Sequence, residues 1–210
     1  MSGSCGGKVN PGCPRRGTPF SHGFARRVLA LFGWRVEGSL PDEPRFVVIV
    51  APHTSNLDFF ICIMAMFAVG LRISWLGKHT IFFWPAKYIL RWLGGEAVDR
   101  STPAGIVEAA IKRFKEASQW ALGVSPEGTR KLTTEWKTGF YRIATGAGVP
   151  IVPVALDYHR RALAIGAPMW PTGDPDADIS RLRASFHRGM ALRPANFFEP
   201  DPDTPASHQR

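Results

Sequence analysis

Cysteine is scarce in this 210-residue chain. The three present, Cys5, Cys13 and Cys62, make an odd number with no pair at metal-ligand spacing, which argues against a disulfide framework and for a reducing compartment, the cytoplasm. Long apolar runs are short in supply too. The charge-free stretch Phe59 to Leu71 falls below the ~20 residues a helix needs to span a bilayer, so it reads as a buried or interfacial helix. Val28 to Phe32, the apolar stretch after Arg15-Arg16, is too short for the core of an export signal. Acidic residues are missing from Met1 to Val36, which holds Lys8, Arg15, Arg16, Arg26, Arg27 and Arg35. There is no phosphate-cradling glycine loop, no internal repeat, and no helix-turn-helix, finger or RNA-binding aromatic signature to use a net charge of +9 on bases. The expected partners are therefore an anionic membrane surface and a phosphorylated substrate, with no nucleic acid.

What is present suits one domain. Residues 1–19, rich in Gly, Pro and Ser, predict a flexible basic arm. Residues 20–193 carry strand and helix patterns in alternation, which predicts a single layered α/β domain with a mixed, mostly parallel sheet flanked by helices. Its first element is an amphipathic helix over 20–33, with Phe20, Phe24, Val28 and Phe32 four residues apart beside Arg26 and Arg27, ended by Gly33. That stripe either lies on a membrane or packs on the domain. Thr80 to Leu93 is aromatic and basic together and offers the same two alternatives, membrane-facing surface or aromatic core. Arg45 to Ala51 is an unbroken apolar run suited to a strand covered on both faces. Residues 194–210 predict a loose tail.

Between that strand and the apolar helix lies Pro52-His53-Thr54-Ser55-Asn56-Leu57-Asp58. Imidazole titrates near ~6.5 and can take a proton from a hydroxyl, and a carboxylate on its second ring nitrogen would fix the tautomer and stabilise the imidazolium. Five residues apart on one helix means about 140° of rotation, so His53 belongs in the turn and Asp58 in the first helical turn, reaching back. Ser55 and Asp58 also form a helix-capping signature, which by itself would leave His53 a loop residue. Backbone N–H groups at the start of this helix are candidate oxyanion donors.

Further along come Gly94-Gly95-Glu96-Ala97-Val98-Asp99-Arg100, then Ser125-Pro126-Glu127-Gly128-Thr129-Arg130, then Val149-Pro150-Ile151-Val152-Pro153-Val154. Taken alone, the middle block is a tight turn after a strand, and the last a proline-stiffened strand edge. In order with His53 and Asp58, the blocks resemble the glycerolipid acyltransferases, the family of glycerol-phosphate and lysophosphatidic acid acyltransferases. Pro52 and Ser125 stand where many members carry Asn and Phe. The resemblance implies transfer of a fatty acyl group from an acyl-CoA or acyl-carrier-protein thioester to a glycerolipid hydroxyl. It makes His53 and Asp58 the catalytic pair. It gives Arg100, Glu127, Gly128, Thr129 and Arg130 to the acceptor's phosphate, and Pro150 and Pro153 to acyl-donor binding or catalysis. Lys78 and Lys137 would widen a basic mouth. No metal and no tightly held cofactor are expected, only the thioester co-substrate, and the protein should sit peripherally on a membrane. The rival readings are a lipid-binding, membrane-tethering domain without turnover, and a thioester hydrolase or transacylase using the same His-Asp pair.

Overall fold

The computed structural model of this chain describes residues 12–98 and 103–199. In chain order the elements are α1 (Pro19–Leu31), β1 (Arg35–Glu37), β2 (Arg45–Ala51), α2 (Leu57–Val69), β3 (Ile73–Lys78), α3 (Ala86–Trp92), β4 (Gly95–Val98), α4 (Pro103–Glu116), β5 (Trp120–Val124), α5 (Gly139–Ala147), β6 (Ile151–Asp157), β7 (Ala162–Ile165) and α6 (Pro175–Arg183). The strands make one seven-stranded sheet in the order β1-β7-β6-β2-β5-β3-β4. Neighbours run parallel except β6 and β7, which are antiparallel. This is the mixed, mostly parallel α/β sheet that the pattern predicts.

Central strand β2 explains its own sequence. Phe46 and Val48 join one core with Ala25, Leu29, Met66 and Phe67, while Val47, Ile49 and Ala51 join the other with Val107, Phe114, Phe140 and Leu182. A strand buried on both faces has no use for polar alternation, hence the unbroken apolar run. Burying a side chain such as Phe46 or Ile49 contributes ~1.5–3 kcal/mol. The turn after β2 thus grows from one of the firmest parts of the sheet. Downstream, Asp58 stands in the first turn of α2, and Gly70, at φ 73°, closes that helix with its N–H on Met66 and Phe67 carbonyls.

Three expectations are corrected. Part of the expected arm is docked: Cys13 is buried with its thiol on the Pro41 carbonyl, Arg15 bridges Leu71, and the Arg72 N–H donates to the Pro14 carbonyl. Gly and Pro composition permits disorder but does not prevent a chain from pairing, here with the stretch between α2 and β3. The start of the expected tail is docked as well, with Phe197 buried in the second core. Helix α6 ends at Arg183, and the turns after it carry Phe186 into that core. Finally, β6 is no sheet edge but lies between β7 and β2. Pro153 costs the ladder no donor within β7, because its nitrogen lies on the same side as its carbonyl, which meets Gly166 just beyond the end of that strand.

Helix α1 packs on α2 through Ala25 and Leu29, so its phenylalanine stripe faces outward. Phe20 is 83% exposed, and Phe24, Leu31 and Phe32 are exposed with it. Helix α3 buries no residue at all: Phe83 and Trp84 just before it, and Tyr88, Ile89 and Trp92 on it, are all exposed. The ring stripe of neither segment packs into the core, and α1 meets the domain through Ala25 and Leu29 instead. Among the described residues, no helix is long and apolar enough to cross a membrane.

Candidate active site

Because β2, β3, β5 and β6 point the same way, the loops that follow them leave at one edge, the carboxyl edge where open α/β sheets bind ligands. His53 lies two residues past β2 and Asp58 is the second residue of α2. The helix start carries the carboxylate back toward the strand end. His53 Nδ1 and Asp58 Oδ2 are 3.3 Å apart. Asp58 is wholly buried, and its Oδ2 also accepts from the Thr54 and Ser55 N–H groups at 2.7 and 2.8 Å, while Oδ1 accepts from the Tyr158 hydroxyl at 2.6 Å. Burial opposes ionisation, but the hydrogen bonds from His53, Tyr158 and Ser55 outweigh it and hold the carboxyl below its usual range. An ionised Asp58 accepts the Nδ1 proton and leaves the Nε2 lone pair available. The ring is 24% exposed, and Nε2 bonds to no other described residue. The geometry is that of a partly exposed general base held by a buried anion.

The capping signature is met only in part: Asp58 takes the Ser55 N–H, but Ser55 Oγ accepts from Leu57 N–H at 3.1 Å, and the cap residue Asn56 makes no side-chain cap bond. The same bonds narrow the oxyanion expectation, because the N–H groups of His53, Thr54, Ser55 and Leu57 are taken by side chains.

Glu127, in the turn after β5, stands behind His53. Its Oε1 accepts from the His53 backbone N–H at 3.0 Å, and Oε2 is buried without a hydrogen-bond partner among the described residues, as is Ser125 Oγ. Burial, reinforced by the charge of Asp58 and opposed by the His53 N–H, pushes the Glu127 carboxyl up to about 7. Gly128 makes the turn possible with φ 65°, and a Cβ there would meet Lys137 Cγ at 3.2 Å. Lys137 closes the loop from beneath, its N–H on the Pro126 carbonyl at 2.7 Å. Thr129 Oγ1 accepts from Lys131 N–H at 3.2 Å. Arg130 lies exposed on the rim with Nη1 donating to Asn56 Oδ1, three residues from His53. The structure therefore brings together His53, Asp58, Glu127 and Arg130, with Gly128 and Thr129 shaping the turn between. Lys78 is exposed at the end of β3. Pro150 and Pro153 are buried beside β2, the Pro150 carbonyl accepting from Val47 N–H at 2.9 Å, so they brace the strand that carries His53. Arg100 lies outside the described residues. Cys62 is no competing nucleophile, because burial and the nearby Asp58 charge push its thiol up to about 12.

Several participants carry no sequence signal. Tyr158 reaches Asp58 from the end of β6, and Asn56 holds the Arg130 side chain. Asn196 Nδ2 donates to the Arg130 carbonyl at 3.1 Å, and Arg193 N–H donates to Thr54 Oγ1 at 3.2 Å, so one distal segment touches both loops. Nothing in the spacing of single polar residues announces contacts across 66 or more positions.

A family model described as Acyltransferase matches residues 35–157, more than half of the chain and all of the loops just described. The chain belongs to this acyltransferase family. It is 29% identical over 157 residues to a 1-acyl-sn-glycerol-3-phosphate acyltransferase of Escherichia coli (strain K12), covering 70% of this chain and 62% of that protein. A protein of the same name from Salmonella typhimurium is 31% identical over the same lengths and coverages. One from Cocos nucifera is 28% identical over 150 residues, 68% of this chain and 47% of the relative. The chain thus spans under two thirds of the length of these relatives. The fold is shared with the crystal structure of the 1-acyl-sn-glycerophosphate (LPA) acyltransferase PlsC from Thermotoga maritima, at TM-score 0.59 and 23% identity over 81% of this chain and 77% of that one.

Proposed function

We propose that this acyltransferase-family chain moves a fatty acyl group from a CoA or acyl-carrier-protein thioester to a hydroxyl of lysophosphatidate, glycerol phosphate or a related lysolipid. The observation that carries the reading is His53, its Nδ1 held by a buried, ionised Asp58 and its ring partly exposed. The names of the relatives support the acceptor class. In this mechanism Nε2 takes the acceptor hydroxyl proton as the oxygen attacks the thioester carbonyl. Asp58 stabilises the imidazolium so formed. Collapse of the tetrahedral intermediate breaks the carbon–sulfur bond and expels the thiolate, which takes the proton back from His53, so no enzyme-bound acyl group is needed. The guanidinium of Arg130, and Arg100 by resemblance, would grip the acceptor's phosphate with paired donors. Glu127 and Gly128 hold the turn that presents Arg130. The reaction asks for no metal and no cofactor beyond the thioester.

The exposed rings of α1 and of the segment through α3, together with Lys87, Arg91 and Arg27, fit the headgroup layer of an anionic membrane on which such an acceptor resides. The chain would act there as a peripheral cytoplasmic protein. Vesicle co-sedimentation tests this: Phe24→Ser with Trp84→Ser should lower binding to anionic vesicles severalfold, and unchanged binding would remove these rings from the interface.

The central test measures free thiol released from acyl-CoA or acyl-carrier protein, with and without lysophosphatidate and glycerol phosphate. His53→Ala should reduce acceptor-dependent release by at least ~10³-fold. Release that ignores the acceptor would identify a hydrolase instead, and lipid binding without any release would identify a tethering domain.

A further inference from the structure

Tyr158 lies one residue past the stretch the family model matches, yet it touches the centre of the site. Asp58 has two oxygens to satisfy inside a fully buried pocket. Oδ2 has the Thr54 and Ser55 N–H groups and faces Nδ1, whereas Oδ1 has one donor, the Tyr158 hydroxyl at 2.6 Å. Without that donor a buried anionic oxygen would be left unpaired, and the carboxylate would gain by turning about its own bond to find another partner. The tyrosine is itself held. Trp34, just after α1, meets its ring edge-on at 4.9 Å with planes at 90°, and its backbone N–H donates to the Met190 carbonyl at 2.9 Å. Burial and the Asp58 charge keep the phenol protonated, so it acts as a donor throughout the working range.

We propose that Tyr158 is a positioning residue: its hydroxyl pins Asp58 Oδ1 so that Oδ2 holds the His53 ring in the tautomer with hydrogen on Nδ1, and Trp34 keeps the phenol in place. This rests on the reading of His53 as the base. It adds a third member to the pair and ties the pair to the end of α1, since Trp34 follows that helix and Arg161 Nη1 binds the Phe32 carbonyl beside it.

The test is Tyr158→Phe in the full chain, with steady-state kinetics for both substrates and nitrogen-15 spectra of the His53 ring, assigned among the six histidines by the His53→Gln spectrum. The expected result is a fall in kcat of about 10- to 100-fold, the worth of a hydrogen bond to a charged group expressed as a rate, with both KM values within about twofold. The spectrum should show the Nδ1–H form losing its dominance. Trp34→Phe, which retains the hydroxyl, should move both readouts the same way by less. A kcat within about twofold of wild type, or a lower kcat with the His53 nitrogen spectrum unchanged, overturns the assignment. If the wild-type protein transfers no acyl group, the acyltransferase reading fails, and the nitrogen spectra alone still decide whether Tyr158 orients this ring.

Discussion

Asp58, on the helix side of the His53 turn, and Glu127, on the loop side, are both buried carboxylates, yet their surroundings drive them in opposite directions. Asp58 has donors on both oxygens and is held below the usual carboxylate range, while Glu127 has one donor and an orphaned oxygen and is pushed up to about 7. The contrast shows that burial by itself does not decide charge. Donors supplied by the surrounding chain do. The anion is placed where an imidazolium must form, and the near-neutral acid where only the backbone must be held.

The sharpest way to break this comparison is Asp58→Asn. The amide keeps the shape but offers His53 no anion, so kcat should fall about 10³- to 10⁴-fold with substrate KM values little changed, as steady-state kinetics would show. Retention of more than about a tenth of wild-type kcat would make the two carboxylates equivalent. Next in size is Glu127→Gln, which preserves an acceptor for the His53 N–H and fills the orphaned position with a neutral group. The Glu127 carboxyl ordinarily titrates near 4.5 and here near 7, so between those values the folded protein holds a proton that the unfolded chain has released. Its contribution therefore makes stability fall as pH rises through that window and stay reduced above it. At ~1.4 kcal/mol per pH unit, the substitution should stabilise the protein by up to about 3 kcal/mol at pH 8 and by almost nothing at pH 4, read by denaturant unfolding at both. A pH-independent difference would contradict the shift. Asp58 has the opposite sign, giving stability that is present above its ordinary 3.8 and lost as pH falls through its lowered folded value. The smallest effect is expected from Asn56→Ala, which frees the Arg130 side chain: acceptor KM should rise about 3- to 10-fold with donor KM unchanged, because only preorganisation is lost. An equal rise in both would detach Arg130 from the acceptor.

Much of this was legible beforehand, for reasons that differ by element. The apolar run of β2 announced two-sided burial, and the five-residue step from His53 to Asp58 forced a turn-plus-helix arrangement, which the structure has. Periodicity in α1 announced a stripe but not which side met protein; Ala25 and Leu29, too small to dominate the pattern, make the packing face. The role of Glu127 was hidden because a carboxylate in a block given to a phosphate reads as part of the ligand's surroundings, whereas this one points inward to a backbone N–H. Tyr158 and Cys13 depend on contacts that only the assembled sheet creates.

The segment from Ala191 to Phe197 has a practical side. It spans both loops of the site through Arg193 and Asn196 and is anchored in the interior by Phe197. A minimal fragment trimmed to the family boundaries would lose this clasp on both loops in a single cut. Expression tags are better joined well beyond Glu199, with a spacer long enough that they do not pull on it.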